Sequence, residues 1–196
     1  MDETPPTEIL DGTYRSLCTH GYANLTLEKI AAETETSKSL IYYHYETKQE
    51  LFSAFLNYLY DRYTARLSSV DGQTPSHELD TLLEAVLTPE DSEPCLQRAL
   101  LELTIQAHHE DCMQSKLADF ETALVDRLHE IIESGVTSGV FDPEMEPDVS
   151  AEFLATMIQG THTRQAASDC SVDKLHRTLG SYIESHLVAP EAVEPR

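Results

Sequence analysis

Two stretches of the 196-residue chain hold side chains whose types and spacing suit chemistry. The first is Ser37-Lys38-Ser39-Leu40-Ile41-Tyr42-Tyr43-His44-Tyr45-Glu46-Thr47-Lys48. It sets two lysines against one glutamate in a chain of net charge −22, and interleaves them with hydroxyl, phenol and imidazole donors. Such donors reach phosphate oxygens without a large basic patch. The second is His108-His109-Glu110-Asp111-Cys112, in which His108 and Cys112 are four apart and face one ion if a helix runs on. A third ligand at a recognisable spacing is missing, so the stretch reads more simply as a helix end with polar caps and no metal site is expected. His108 also falls on an apolar face, where it can line a small-molecule pocket. No nucleophile elbow, phosphate-binding glycine loop or paired-carboxylate signature is present, which leaves an enzyme without support and no cofactor expected.

The elements that must position these residues are helical. Apolar side chains recur at helical spacing almost throughout, and no sustained alternation bounded by hairpin turns interrupts them, so the chain reads as all-α with about nine helices. The first spans about Thr7 to His20 and ends at Gly21. Thr26 suits an N-cap for a second, Leu27 to Thr34, and a third follows at Ser37 to His44. Thr47 and Glu50 form a capping box opening a long fourth helix to about Ser69, striped with Phe52, Phe55, Leu56, Leu59, Tyr63 and Leu67. Further helices are expected at about Ser76 to Leu87, Glu93 to His109, Cys112 to Ser134, Asp148 to Ser168 and Val172 to Leu187. A loop rich in Gly135, Gly139, Pro143 and Pro147 follows the seventh. On the eighth, Ala151, Ala155 and Gly160 permit close approach of a partner helix. Met1 to Pro6 and the tail 189–196 read as disordered.

Thirteen Lys and Arg stand against 35 Asp and Glu, and five of the cations are Lys. At low salt such a surface repels a polyanion. A carboxylate-rich, lysine-poor surface also resembles that of proteins from a salt-saturated cytoplasm, where long-range repulsion is screened. Cys18, Cys95, Cys112 and Cys170 follow no regular spacing and read as buried free thiols. No stretch approaches the roughly 18 apolar residues of a membrane span. The start MDETPPTEIL lacks the cationic and apolar parts of a secretory signal. A cytoplasmic protein is expected.

Three short helices in the first 45 residues, with a tight turn between the second and third, form the arrangement that lays a recognition helix in the major groove. Here the sequence resembles the TetR family of repressors. The resemblance rests on Gly21-Tyr22, Thr26, Ile30-Ala31, Ser37, Ile41-Tyr42, Tyr43-His44-Tyr45 and Thr47-Lys48, over about residues 9 to 51. Gly135 to Phe141 is similar to the glycine-rich turn before the last two helices of many members. The resemblance implies a helix-turn-helix domain over residues 1–50, and a helical domain over 51–188 that holds a small-molecule effector and forms a homodimer through its last two helices. It implies a palindromic double-stranded operator as the partner. By position, Thr26 and Lys48 contact phosphates, Tyr42 and His44 lie at the backbone, Lys38, Ser39, Leu40 and Tyr43 read bases, and Ser37 is a further DNA-binding candidate. An effector pocket is expected beside Phe55, Leu59, Leu103, Gln106, His108, Phe120 and Met157. Tyr45 replaces a common Phe and reads as core. Glu35 stands where the family prefers a turn glycine, and places a carboxylate near DNA.

Two alternatives remain open on sequence. One is a metal- or redox-sensing regulator acting through His108, Cys112 and Cys170. The other is an acidic helical adaptor that no longer binds DNA.

Overall fold

The computed structural model describes residues 7–34, 36–88, 96–106, 111–167 and 172–186. Its helices are α1 (Thr7–His20), α2 (Leu27–Glu33), α3 (Lys38–His44), α4 (Lys48–Ser69), α5 (Pro75–Leu87), α6 (Leu96–Gln106), α7 (Asp111–Thr137), α8 (Pro147–Ala167) and α9 (Val172–His186). A 3-10 turn at Tyr22–Asn24, absent from the sequence reading, links α1 to α2. The chain is all-α, and none of its described helices is long and apolar enough to cross a membrane.

Two compact units divide the chain. The first comprises residues 1–63 and 91–120, and the second 64–90 and 121–196. In the first, Ile9, Leu17, Ile30, Ile41, Leu51, Phe55, Leu56, Leu59 and Leu103 are buried in one cluster with Phe52, Tyr45, Met113 and Phe120. Most of the apolar stripe of α4 thus forms the floor on which α1, α2 and α3 rest. The capping box forms with a shift of register. Thr47 accepts the Glu50 amide at 3.1 Å, but the Glu50 carboxylate takes the amide of Glu46, not of Thr47, at 2.9 Å.

The second unit buries Leu79, Leu82, Leu83 and Val86 of α5, Leu124, Leu128 and Ile131 of α7, and Ala151, Leu154, Ala155 and Ile158 of α8. Thr74 caps α5, which starts at Pro75, one residue earlier than expected, because proline suits a first helical position. Helix α7 does not stop at Ser134. It runs through Gly135 to Thr137, and Gly139 at φ 75° ends it, with the amides of Val140 and Phe141 both returning to the Gly135 carbonyl. Gly135 has a packing duty instead: the buried Phe141 ring lies where its Cβ would be.

Two expectations change. Ala151 and Ala155 are buried by their own chain, so they are not the exposed small residues that a partner copy would meet. Val149, Phe153 and Met157 form the exposed stripe, with Gly160 open beside it. Cys18, expected as a free thiol, is disulfide-bonded; it lies partly buried on α1 at the edge of the core. Glu35, Cys95, His108, His109, Cys170 and the tail 189–196 lie outside the described residues.

The C-terminal end of α4 is closed by Arg127 of α7. Its Nε donates to the Leu67 carbonyl at 3.3 Å, and its Nη2 to the Val70 carbonyl at 2.8 Å and to Glu78 at 2.5 Å. One planar fork thereby satisfies helix-end carbonyls and a carboxylate of α5, all largely shielded from water. Arg127→Ala should lower unfolding free energy in urea by about 2 kcal/mol, and Arg127→Lys should recover little of it, because a point charge cannot span the three acceptors.

Candidate nucleic-acid interface

Helices α2 and α3 have seven residues each, too few to persist alone in water. Each is held by one side chain driven fully into the core, Ile30 and Ile41 respectively, and each is opened by a hydroxyl. Thr26 accepts the Lys29 amide and Ser37 accepts the Leu40 amide, both at 3.3 Å. From α1, Arg15 reaches across to close α2, donating through Nε and Nη2 to the Glu33 carbonyl. The turn that follows is held by Thr34, whose hydroxyl donates to the Ala31 carbonyl and accepts the Thr36 amide.

With Ile41 and Tyr45 facing inward, the rest of the recognition segment faces out. Ser37, Lys38, Ser39, Leu40, Tyr42 and Tyr43 are exposed, and His44 is half-buried with its ring edge-on to Tyr43 at 5.2 Å. Leu40, Tyr42 and Tyr43 are 40%, 49% and 73% exposed. That is a large apolar and aromatic commitment to solvent on one short helix, and such faces mark contact surfaces.

The lysines of this region are all engaged by oxygens of their own chain. Lys29 donates to the Asn24 carbonyl at 2.9 Å, Lys48 to the Leu25 carbonyl at 3.0 Å, and Lys38 to the Glu28 carboxylate. Lys48 also lies over the rings of Tyr22 and Phe52, at 5.0 and 5.5 Å. Its tie to Leu25 pins the segment carrying Thr26, and an ammonium so held keeps further donors to offer. Glu28 is a residue the sequence reading missed. Its carboxyl is held below the usual range, first by the hydrogen bond from Lys38, with smaller help from its own amide and the Thr26 hydroxyl. Lys38 is correspondingly raised, chiefly by the bond to Glu28. Glu102 of α6 was missed as well: it accepts the Tyr22 amide at 3.1 Å, beside Gly21, whose φ of 71° calls for glycine. Both are acids that meet their partners only through tertiary packing, and periodicity carries no signal for that.

Of the expected effector residues, Phe55, Leu59, Leu103 and Phe120 come together in the first unit's core, where Tyr60 and Tyr63 stack against Phe120 at 5.4 Å. Gln106 ends the described part of α6, His108 lies outside the described residues, and Met157 belongs to the second unit, exposed on α8. Among the described residues, no group of three or more His, Cys, Asp or Glu is placed to hold a metal ion.

Residues 9–55 match the N-terminal model of the bacterial regulatory proteins of the tetR family, and residues 75–188 match the C-terminal model of BetI-type transcriptional repressors. The chain belongs to the TetR family. It is 25% identical over 178 residues to the HTH-type transcriptional repressor AcnR of Corynebacterium diphtheriae, covering 91% of this chain and 89% of that one. It is also 25% identical over 148 residues to the regulator QacR of Staphylococcus aureus, covering 73% and 78%. A solved TetR regulator of Haloarcula marismortui superposes with a TM-score of 0.84 at 31% identity, covering 92% of this chain and 97% of that chain. This TetR protein is therefore a helix-turn-helix transcriptional regulator, and its matched relatives are regulators rather than enzymes.

Tyr45 departs from the family's Phe, and the structure shows the consequence: the ring is buried at 5% exposure, its hydroxyl has no hydrogen-bond partner among the described residues, and burial pushes the phenol pKa up. Removing an unpaired buried hydroxyl relieves its desolvation cost, so Tyr45→Phe should raise stability by about 1 kcal/mol in denaturant titration with DNA binding unchanged.

Proposed function

We propose that this TetR protein is a dimeric, effector-responsive repressor, with residues 1–50 gripping a palindromic double-stranded operator and residues 51–188 holding the effector and the second subunit. The observation that carries the DNA reading is the outward face of α3, where Leu40, Tyr42 and Tyr43 stand exposed while Ile41 alone anchors the helix. In the complex, Ser39, Leu40 and Tyr43 face base edges, with Leu40 suited to thymine methyl groups, and Lys38 lies beside them at the start of α3. Thr26, Ser37, Tyr42, His44 and Lys48 hold the backbone.

The net charge of −22 sets the condition under which this works. We read it as adaptation to a salt-rich cytoplasm, where carboxylate repulsion of DNA is short-ranged. Binding to the protein's own upstream DNA, titrated from about 0.1 M to about 3 M KCl, should persist or strengthen toward molar salt, whereas ordinary cationic binders lose orders of magnitude over smaller increases. Tyr43→Ala and Leu40→Ala, both at exposed positions, should each weaken specific binding about tenfold without altering the thermal melt. Absence of specific binding at every salt concentration would favour the acidic adaptor.

Dimerisation is supported by the α8 stripe. Val149, Phe153 and Met157 recur every fourth residue and remain exposed, Phe153 lies 5.2 Å from the Tyr182 ring of α9, and Gly160 leaves room for a close approach. A second copy related by a twofold axis would cover this stripe, and a pair of recognition helices that enters successive major-groove turns of a palindromic operator lies about 34 Å apart. Light scattering should give twice the chain mass for the wild type and the single chain mass for Phe153→Asp.

The effector site is proposed around Phe55, Leu59, Leu103 and Phe120. A small apolar molecule inserted there must move α4, α6 or α7, and it regulates by binding the DNA-competent and incompetent arrangements unequally. Redox control is a second reading, favoured by the disulfide at Cys18 of α1. Operator affinity that changes between oxidising and reducing buffer would assign the response to that thiol.

A further inference from the structure

We propose that Glu28 is a specificity-determining residue, which holds Lys38 away from the base edges and so biases the recognition helix toward thymine methyl groups and away from guanine. The inference rests on the reading of α3 as the groove-facing helix. Lys38 opens α3 and is its one Lys or Arg. Its ammonium is bonded to the Glu28 carboxylate of α2 and lies 5.8 Å from the Tyr42 ring, so it points back across the turn rather than outward with Tyr43. With Lys38 so engaged, the face left to meet a groove is Ser39, Leu40 and Tyr43. Leu40 suits the thymine methyl, and nothing on that face is the cation that reads guanine O6 and N7.

Both partners of the pair are well exposed, at 45% and 64%. An exposed pair is a bias and not a lock, and its release shifts an equilibrium by a few fold. Glu28 lies two residues from Thr26, the expected phosphate contact, in the first turn of the helix that Thr26 caps, so the carboxylate that engages Lys38 stands close to a residue expected to hold the backbone. Guanine beneath the first turn of α3 would have to draw Lys38 off Glu28 and leave a bare carboxylate facing the phosphates. An A·T pair there asks for neither.

The experiment is a half-site panel in which each base pair is varied in turn, with affinities measured by competition for the wild type, Glu28→Gln, Lys38→Met and the double variant. Circular dichroism would confirm that each folds, as expected for exposed positions. Glu28→Gln should gain about a three- to fivefold preference for G·C at one position of each half-site, and Lys38→Met should abolish that gain in the double variant. A uniform rise in affinity for every sequence would overturn the proposal, since Glu28 would then act only as a nearby negative charge. A guanine preference that survives in the double variant would overturn it equally. If the wild type binds no sequence specifically, the reading of α3 itself fails, a result distinct from a wild type that binds specifically while Glu28→Gln leaves its preferences unchanged.

Discussion

Burial of Ile30 and Ile41 is the constraint on which the DNA-binding surface depends. Two seven-residue helices have no stability of their own, and each fully buried isoleucine supplies about 2 kcal/mol of transfer free energy against that deficit. The N-cap hydroxyls of Thr26 and Ser37 and the Arg15 clamp on the Glu33 carbonyl satisfy end groups that would otherwise be solvated or orphaned. Because so few side chains fix these helices, the remaining positions of α3 carry no folding duty. That division lets Leu40, Tyr42 and Tyr43 stay outside at a cost the core beneath them absorbs.

The segment between α1 and α2 is held from two other helices at once. Lys48 of α4 takes the Leu25 carbonyl and covers Tyr22, while Glu102 of α6 takes the Tyr22 amide. Those helices also carry Phe55 and Leu103 into the cluster that seats Ile30 and Ile41. A displacement of α6 would reach the Tyr22 amide through one hydrogen bond and a displacement of α4 would reach Leu25 through another, next to the Thr26 cap. Coupling needs an element with two arrangements, and Gly21 at φ 71° sits beside this two-sided tether.

Most of the fold was legible because helix periodicity and caps are local. Thr26, Thr47 and the α4 stripe state their roles within four residues of sequence, and Ser37 and Thr74, which were not read as caps, prove to be caps of the same local kind. What could not be read was set by contacts distant in the chain. Gly135 reads as a helix breaker, yet a phenylalanine six residues on makes it a packing site, and the terminator is Gly139. Ala151 and Ala155 have the size that suits a partner helix, but small residues fit a tight internal contact equally well. Position in the recognition helix could be assigned, whereas the partner of Lys38 could not, since Glu28 lies ten residues away on another helix. Tyr45 was legible as core, but its orphaned hydroxyl depends on what surrounds it.

The charge and the site answer each other. A carboxylate-rich surface cannot draw DNA from a distance at low salt, and between residues 22 and 50 the three lysines are spoken for by Asn24, Glu28 and Leu25. Binding that relied on cations would release many counterions and collapse as salt rises, by the same mass action that makes log K fall with log salt in proportion to phosphates neutralised. A surface of hydroxyls, helix-end amides, one leucine and two tyrosines releases few. Apolar contact and neutral hydrogen bonds are scarcely weakened by screening, while the repulsion from 35 carboxylates is weakened strongly. On the proposed reading, high salt would remove the obstacle without removing the grip, and the same scarcity of free lysines that looks unsuited to nucleic acid would let recognition rest on shape and apolar contact.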